Sequence, residues 1–77
     1  MIIVSQDKDN IINFDNIKSI WIDDNVLDKT DTMFEIYADD EFIAEYSTEE
    51  RAKEVLQEII EIHRISIPTA EYQMPKK

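Results

Sequence analysis

The chain contains no cysteine and no glycine, only two prolines, one histidine and one tryptophan. Without cysteine there can be no disulfide and no thiolate metal site, and His63 alone cannot supply the imidazole ligands of a zinc centre. Without glycine there is no phosphate-cradling loop of either common type, because those loops bring backbone N–H groups to the ligand where a Cβ would obstruct it. Every turn must instead be made by Asn, Asp or local side-chain hydrogen bonds.

Long hydrophobic runs are missing too. The apolar stretch Met1-Ile2-Ile3-Val4 stops at Ser5-Gln6-Asp7 with no basic segment ahead of it, so neither a signal peptide nor a spanning helix is expected there. The chain is read as a complete cytoplasmic product starting at its initiator methionine. At 77 residues it is expected to form one domain with a thin core, burying roughly 60% of the surface its unfolded chain exposes.

What the chain has in excess is negative charge. Eighteen Asp and Glu oppose eight Lys and Arg, a net of −10. Residues 1–47 hold twelve acidic and three basic residues, a net of −9, whereas residues 48–77 are close to neutral at −1. This argues against direct binding to nucleic acid or to an anionic membrane through the N-terminal half.

Acidic and Asn-rich clusters at residues 7–10, 15–16, 23–25 and 39–41 read as turns. Between them lie β-branched and aromatic runs, Ile2 to Val4, Ile11 to Phe14, Ile17 to Ile22, Met33 to Ala38 and Phe42 to Tyr46, which predict five strands. The last two pair best through a three-residue turn, Asp39-Asp40-Glu41. That register sets Phe34 opposite Tyr46, Ile36 opposite Ala44 and Ala38 opposite Phe42 on one face, with Glu35, Tyr37, Ile43 and Glu45 on the other.

A helix is predicted over 47–66. Ser47 and Glu50 have the spacing of a capping box, and Ala52, Val55, Leu56, Ile59, Ile62 and His63 form one stripe. Glu49 and Lys53 are set for an i,i+4 pair. Ile67 precedes Pro68 and is driven out of helical geometry, so the helix ends near Arg64 to Ser66. Residues 68–77 show no periodicity and read as a C-terminal tail. The expected fold is α+β: a small, mainly antiparallel sheet of about five strands packed on one C-terminal helix, with residues 1–67 as a single domain.

Catalysis has little to work with. His63 falls on the apolar stripe, the serines lie outside any nucleophile elbow, and the carboxylates cluster in hydrated turns that keep them ordinary acids. The stretch from Asp24 to Glu35 resembles an EF-hand frame with Asp24 first, Asp28 fifth and Glu35 twelfth. Val26 then stands where an oxygen ligand is needed and Lys29 replaces the glycine of the sharp turn. No catalytic, cofactor or metal site is therefore expected.

Trp21, between Ile20 and Ile22, must face away from both, either as an exposed anchor for a partner or covered by the larger of two partial cores or by the tail. The expected protein-binding set is Trp21 with the acidic residues Asp23, Asp24, Asp28, Asp31, Asp39, Asp40 and Glu41. Polar turns explain acidity in general, but an imbalance of nine charges in 47 residues destabilises a small domain by self-repulsion, which a basic partner would offset.

The segments Ile3-Val4-Ser5-Gln6-Asp7, Ile12-Asn13-Phe14-Asp15-Asn16-Ile17 and Tyr46 to Leu56 resemble those of short uncharacterised proteins of low-GC Gram-positive bacteria and their phages and mobile elements. The resemblance implies a strand-rich fold closed by one helix, and no activity. By analogy with small acidic inhibitors of host defence, anti-CRISPR proteins and nucleic-acid mimics among them, the expected function is non-enzymatic. It is the inhibition of a basic, nucleic-acid-handling host protein. The alternative is an assembly subunit, such as a homodimer, joined through an exposed sheet face around Trp21.

Overall fold

A computed structural model describes residues 1–26, 32–65 and 71–77. The architecture is α+β, and its described strands form two three-stranded sheets where one sheet of five was expected. The chain runs β1 (Ile2–Val4), β2 (Ile11–Asn13), a 3-10 turn (Phe14–Asn16), β3 (Ile20–Val26), β4 (Thr32–Ala38), β5 (Glu41–Tyr46), α1 (Glu49–Ile65) and β6 (Glu71–Gln73). One sheet has the order β2-β1-β6 and the other the order β3-β4-β5.

The first sheet is built on a hairpin closed without glycine. Ser5 Oγ donates to Asp7 Oδ1 at 2.6 Å and accepts the N–H of Asn10 at 3.0 Å, while Asp7 Oδ1 also accepts the N–H of Asp9. Lys8 takes the positive φ, 65°, that the turn requires. The hydroxyl of Ser5, then the N–H of Asp9, hold the Asp7 carboxyl below its ordinary pKa.

Residues 71–77, read from the sequence as the outer part of a tail, carry a strand and a core contribution. β6 pairs in parallel with β1, which aligns Ile12, Ile3 and Tyr72 across three neighbouring strands, all buried. Tyr72 is 8% exposed and Met74 4%. A single strand of three residues shows no periodicity of its own, so only the partner strand β1 reveals it.

The second sheet is an antiparallel meander. β3 pairs with β4 from Ile20↔Ala38 to Val26↔Thr32, so Asp23, Asp24 and Asn25 lie inside a strand and not in a turn. Cross-strand pairing with β4 overrides the low strand propensity of Asp and Asn. In the β4–β5 hairpin the outer register is the expected one, Phe34↔Tyr46 and Ile36↔Ala44. Nearer the turn it shifts: Tyr37 faces Phe42 and Ala38 faces Glu41, across a bulge that leaves Ile43 as the extra residue. The connection is thus two residues, Asp39-Asp40, with Asp39 at φ 53° in a place glycine usually fills. The bulge exchanges two side chains relative to the expected pattern: Ile43 enters the core at 1% exposure and Phe42 turns out at 39%.

α1 packs on β3, β4 and β5. Its cap is Thr48, whose Oγ1 accepts the N–H of Arg51 at 3.1 Å, one residue later than the expected Ser47. Ala52, Val55 and Ile59 are fully buried, Leu56 and Ile62 flank them, and Lys53 pairs with Glu49 at 2.8 Å as the spacing predicts.

Gln6 joins the two sheets. Its N–H donates to Ile43 O at 2.8 Å, and its side-chain amide behaves as a peptide group beside Glu45, accepting that residue's N–H and donating to its carbonyl. The same Nε2 also lies 3.0 Å from the carbonyls of Pro75 and Lys76. Tyr46 donates to Pro75 O at 2.7 Å and Arg51 Nε to Lys77 O at 2.9 Å.

Two outcomes test this fastening. Deleting residues 71–77 removes two buried side chains, each worth on the order of 3 kcal/mol when truncated. The shortened chain should lose most of a stability that is about 5–15 kcal/mol in small domains, read as the urea midpoint; a true tail would leave the midpoint unchanged. Burial pushes the Tyr46 phenol up to about 12, and burial together with the hydrogen bond to Glu58 raises that of Tyr72. Both groups therefore stabilise the fold fully below their ordinary value of 10.0, and that contribution is lost as pH rises through the folded values. Stability measured from pH 9 upward should fall, and fall less in the Tyr46→Phe, Tyr72→Phe double variant.

Candidate protein-binding face

The exposed side of the β3-β4-β5 sheet carries two transverse rows of side chains, one on each rung of the register. The first is aromatic: Trp21 faces Tyr37, and Tyr37 faces Phe42. Trp21 and Tyr37 stack with centroids 4.8 Å apart and planes 15° from parallel, and Phe42 meets Tyr37 edge-on at 5.9 Å. The second row, two residues along, is Asp23, Glu35 and Glu45, paired across the same strands. Side chains directly opposite one another on neighbouring strands have Cβ atoms about 4.5–5.5 Å apart, and like charges in that position destabilise the sheet.

The rows are connected. The Tyr37 hydroxyl donates to Glu35 Oε1 at 3.0 Å. That bond, then burial, then the charges of Glu35 and Asp23 keep the Tyr37 phenol above its ordinary pKa. Trp21 is fixed on two sides, by the stack on Tyr37 and by its indole N–H, which donates to Asp39 O at 3.0 Å. It remains 40% exposed.

The residues expected from the sequence are divided by this geometry. Trp21 and Asp23 both lie on the outer face of β3, Trp21 turned away from Ile20 and Ile22 as alternation requires and Asp23 in the strand where a turn was expected. Asp24 is exposed on the opposite side of β3, beside Ile22, Phe34, Glu49 and Lys53. Asp40 and Glu41 are exposed at the turn, next to Phe42. Asp39 instead holds the backbone together, since its Oδ1 accepts the N–H groups of Lys18 and Ser19 at 3.0 Å each and its own N–H donates to Ser19 O. Asp28 and Asp31 lie outside the described residues.

Tyr37, Phe42, Glu35 and Glu45 were missed as site residues. Alternation already puts Tyr37, Glu35 and Glu45 on one face, but the pairing of Tyr37 with Trp21 and the bulge that turns Phe42 outward have no signal in the sequence.

The other constellations dissolve in three dimensions. Asp24 and Glu35, the first and twelfth positions of the calcium frame, project to opposite faces of the sheet, since Asp24 pairs with Phe34 and Glu35 with Asp23. Among the described residues no group of three or more His, Asp or Glu is placed to hold a metal ion. His63 is exposed, with its ring edge-on to Phe14 at 4.9 Å, in an open groove of about 310 Å³. The carboxylate lining that groove, Asp15, is 65% exposed. No described helix is long and apolar enough to cross a membrane. No protein-family model, curated protein or solved structure matches the chain.

Asp39 and Asp40 give a direct contrast between support and surface. Asp39→Asn retains an acceptor at Oδ1 and tolerates positive φ, so it should change stability by less than about 0.5 kcal/mol; Asp39→Ala loses both and should cost about 1–3 kcal/mol. Asp40→Ala should be close to neutral. Thermal unfolding of the three variants checks the order.

Proposed function

We propose that the protein is a non-enzymatic acidic binding protein that occupies the cationic surface of a nucleic-acid-handling protein and so inhibits it. The outer sheet face makes the contact. One observation carries this reading: three carboxylates, Asp23, Glu35 and Glu45, stand side by side across three strands. Like charges directly opposite one another on neighbouring strands repel, and a basic partner laid over the row is attracted by all three carboxylates. Adjacent strands lie about 4.8 Å apart, so the row presents closely spaced anions of the kind a phosphate-binding groove accepts.

The net charge agrees, since the acidic excess belongs to residues 1–47, which contain all of β1 to β5. An assembly role through the same face is less favoured. A second copy docked face to face would bring one carboxylate row against another, in chains that each carry −10. An inhibitor of this type suits a phage or mobile element acting on its host, and suits the cytoplasm, where such targets reside.

The Asp23→Asn, Glu45→Gln double variant separates function from mere solvation. It removes both like-charge pairs with Glu35, so the isolated domain should gain roughly 0.5–1 kcal/mol in urea unfolding. Retention of nucleic-acid-binding proteins on the immobilised chain should weaken at the same time. Wild-type retention should be lost at high salt, where screening lengths fall to about 3 Å, and duplex DNA should compete for the retained proteins. Retention indifferent to salt, to DNA and to the double variant would overturn the proposal.

A further inference from the structure

We infer that Trp21 is a stacking platform for an arginine side chain of the partner, with Asp23 receiving the guanidinium fork. This rests on the basic-partner reading above and names the group recognised. Trp21 has one ring face covered by Tyr37 at 4.8 Å. Its other face looks away from β4, and β3 is an edge strand with no described neighbour on that side. The ring is also held in place, because its indole N–H is engaged by Asp39 O. A tryptophan fixed by a stack and a hydrogen bond, yet 40% exposed, is preorganised for a ligand that lies flat on it.

The chemistry of that ligand follows from the neighbours. Asp23 is two residues along β3 on the same side as Trp21, about 6–7 Å away along the strand, with Glu35 beyond it on β4. An apolar side chain on the ring would meet this carboxylate row at its own edge. A cation would not, and charge complementarity with the acidic strand half selects one. Between the two basic side chains, only the guanidinium is planar and can cover an indole face while directing parallel N–H groups at a carboxylate. An ammonium takes the charge pairing alone.

Trp21 is the single tryptophan, so its fluorescence reports the site directly. The wild-type protein is titrated with oligoarginine and with oligolysine of equal length and charge, followed by Trp21 emission and by calorimetry, in parallel with Trp21→Leu and Asp23→Asn. Oligoarginine should bind about three- to tenfold more tightly and quench or shift the emission. Its δ-methylene protons should move upfield in the NMR spectrum under the indole ring current. Trp21→Leu should erase the preference while keeping the weaker, salt-sensitive binding common to both peptides, and Asp23→Asn should reduce it. The upfield shift is measured on the wild-type chain and so holds even where Trp21→Leu fails to fold. Equal, salt-sensitive affinities for the two peptides, or a preference that survives in Trp21→Leu, would overturn the arginine platform and leave the basic-partner reading standing. Absence of binding by either peptide at low salt would overturn both.

Discussion

The extra residue in β5 is the constraint on which both faces of the β3-β4-β5 sheet depend. A chain with no glycine closes the β4–β5 hairpin through two aspartates, and Asp39 alone takes the positive φ. With that short turn and a regular ladder, Phe34 would oppose Glu45, and apolar and charged side chains would meet across the core. The bulge at Ile43 restores Phe34 to Tyr46 and Ile36 to Ala44. It sends Ile43 inward and Phe42 outward, so one irregularity completes the core and the aromatic row together.

Gln6 stabilises the bulged strand from the other side. Its backbone N–H meets the carbonyl of the bulge residue itself, and its side-chain amide supplies Glu45 with the rung a neighbouring strand would have provided. The open edge of β5 is thereby closed at these positions, and the C-terminal segment is bound to the same amide through Pro75 and Lys76. For a thin core without disulfides, such long-range polar fastening links two small sheets that neither could sustain alone. In the β3-β4-β5 sheet the other edge, β3, has no neighbour among the described residues, and Trp21 and Asp23 are presented there.

Much of this was legible where a residue's role follows from its neighbours in sequence. The stripe from Ala52 to Ile62 defines α1, the outer hairpin register follows from alternating polarity, and Trp21 must oppose Ile20 and Ile22. The misreadings share a physical cause, which is that a distant partner decides. Asp23, Asp24 and Asn25 look like a turn until β4 pairs with them; Tyr72 and Met74 look like a tail until β1 receives them. The cap at Thr48 in place of Ser47 is a local competition between adjacent hydroxyls that spacing cannot resolve. The acidic excess was visible at once, but its arrangement was not: Asp39 serves the backbone, whereas Glu35 and Glu45, absent from the expected binding set, complete the charged row.

The division of the sheet into a core face and a binding face is most directly tested by aromatic-ring NOEs in solution. Contacts are expected between the rings of Tyr37 and Phe42 and between those of Trp21 and Tyr37, together with an Ile43 δ-methyl surrounded by core protons. A Phe42 ring in contact with the core and an Ile43 methyl open to solvent would mean a regular hairpin without the bulge, and would contradict that division.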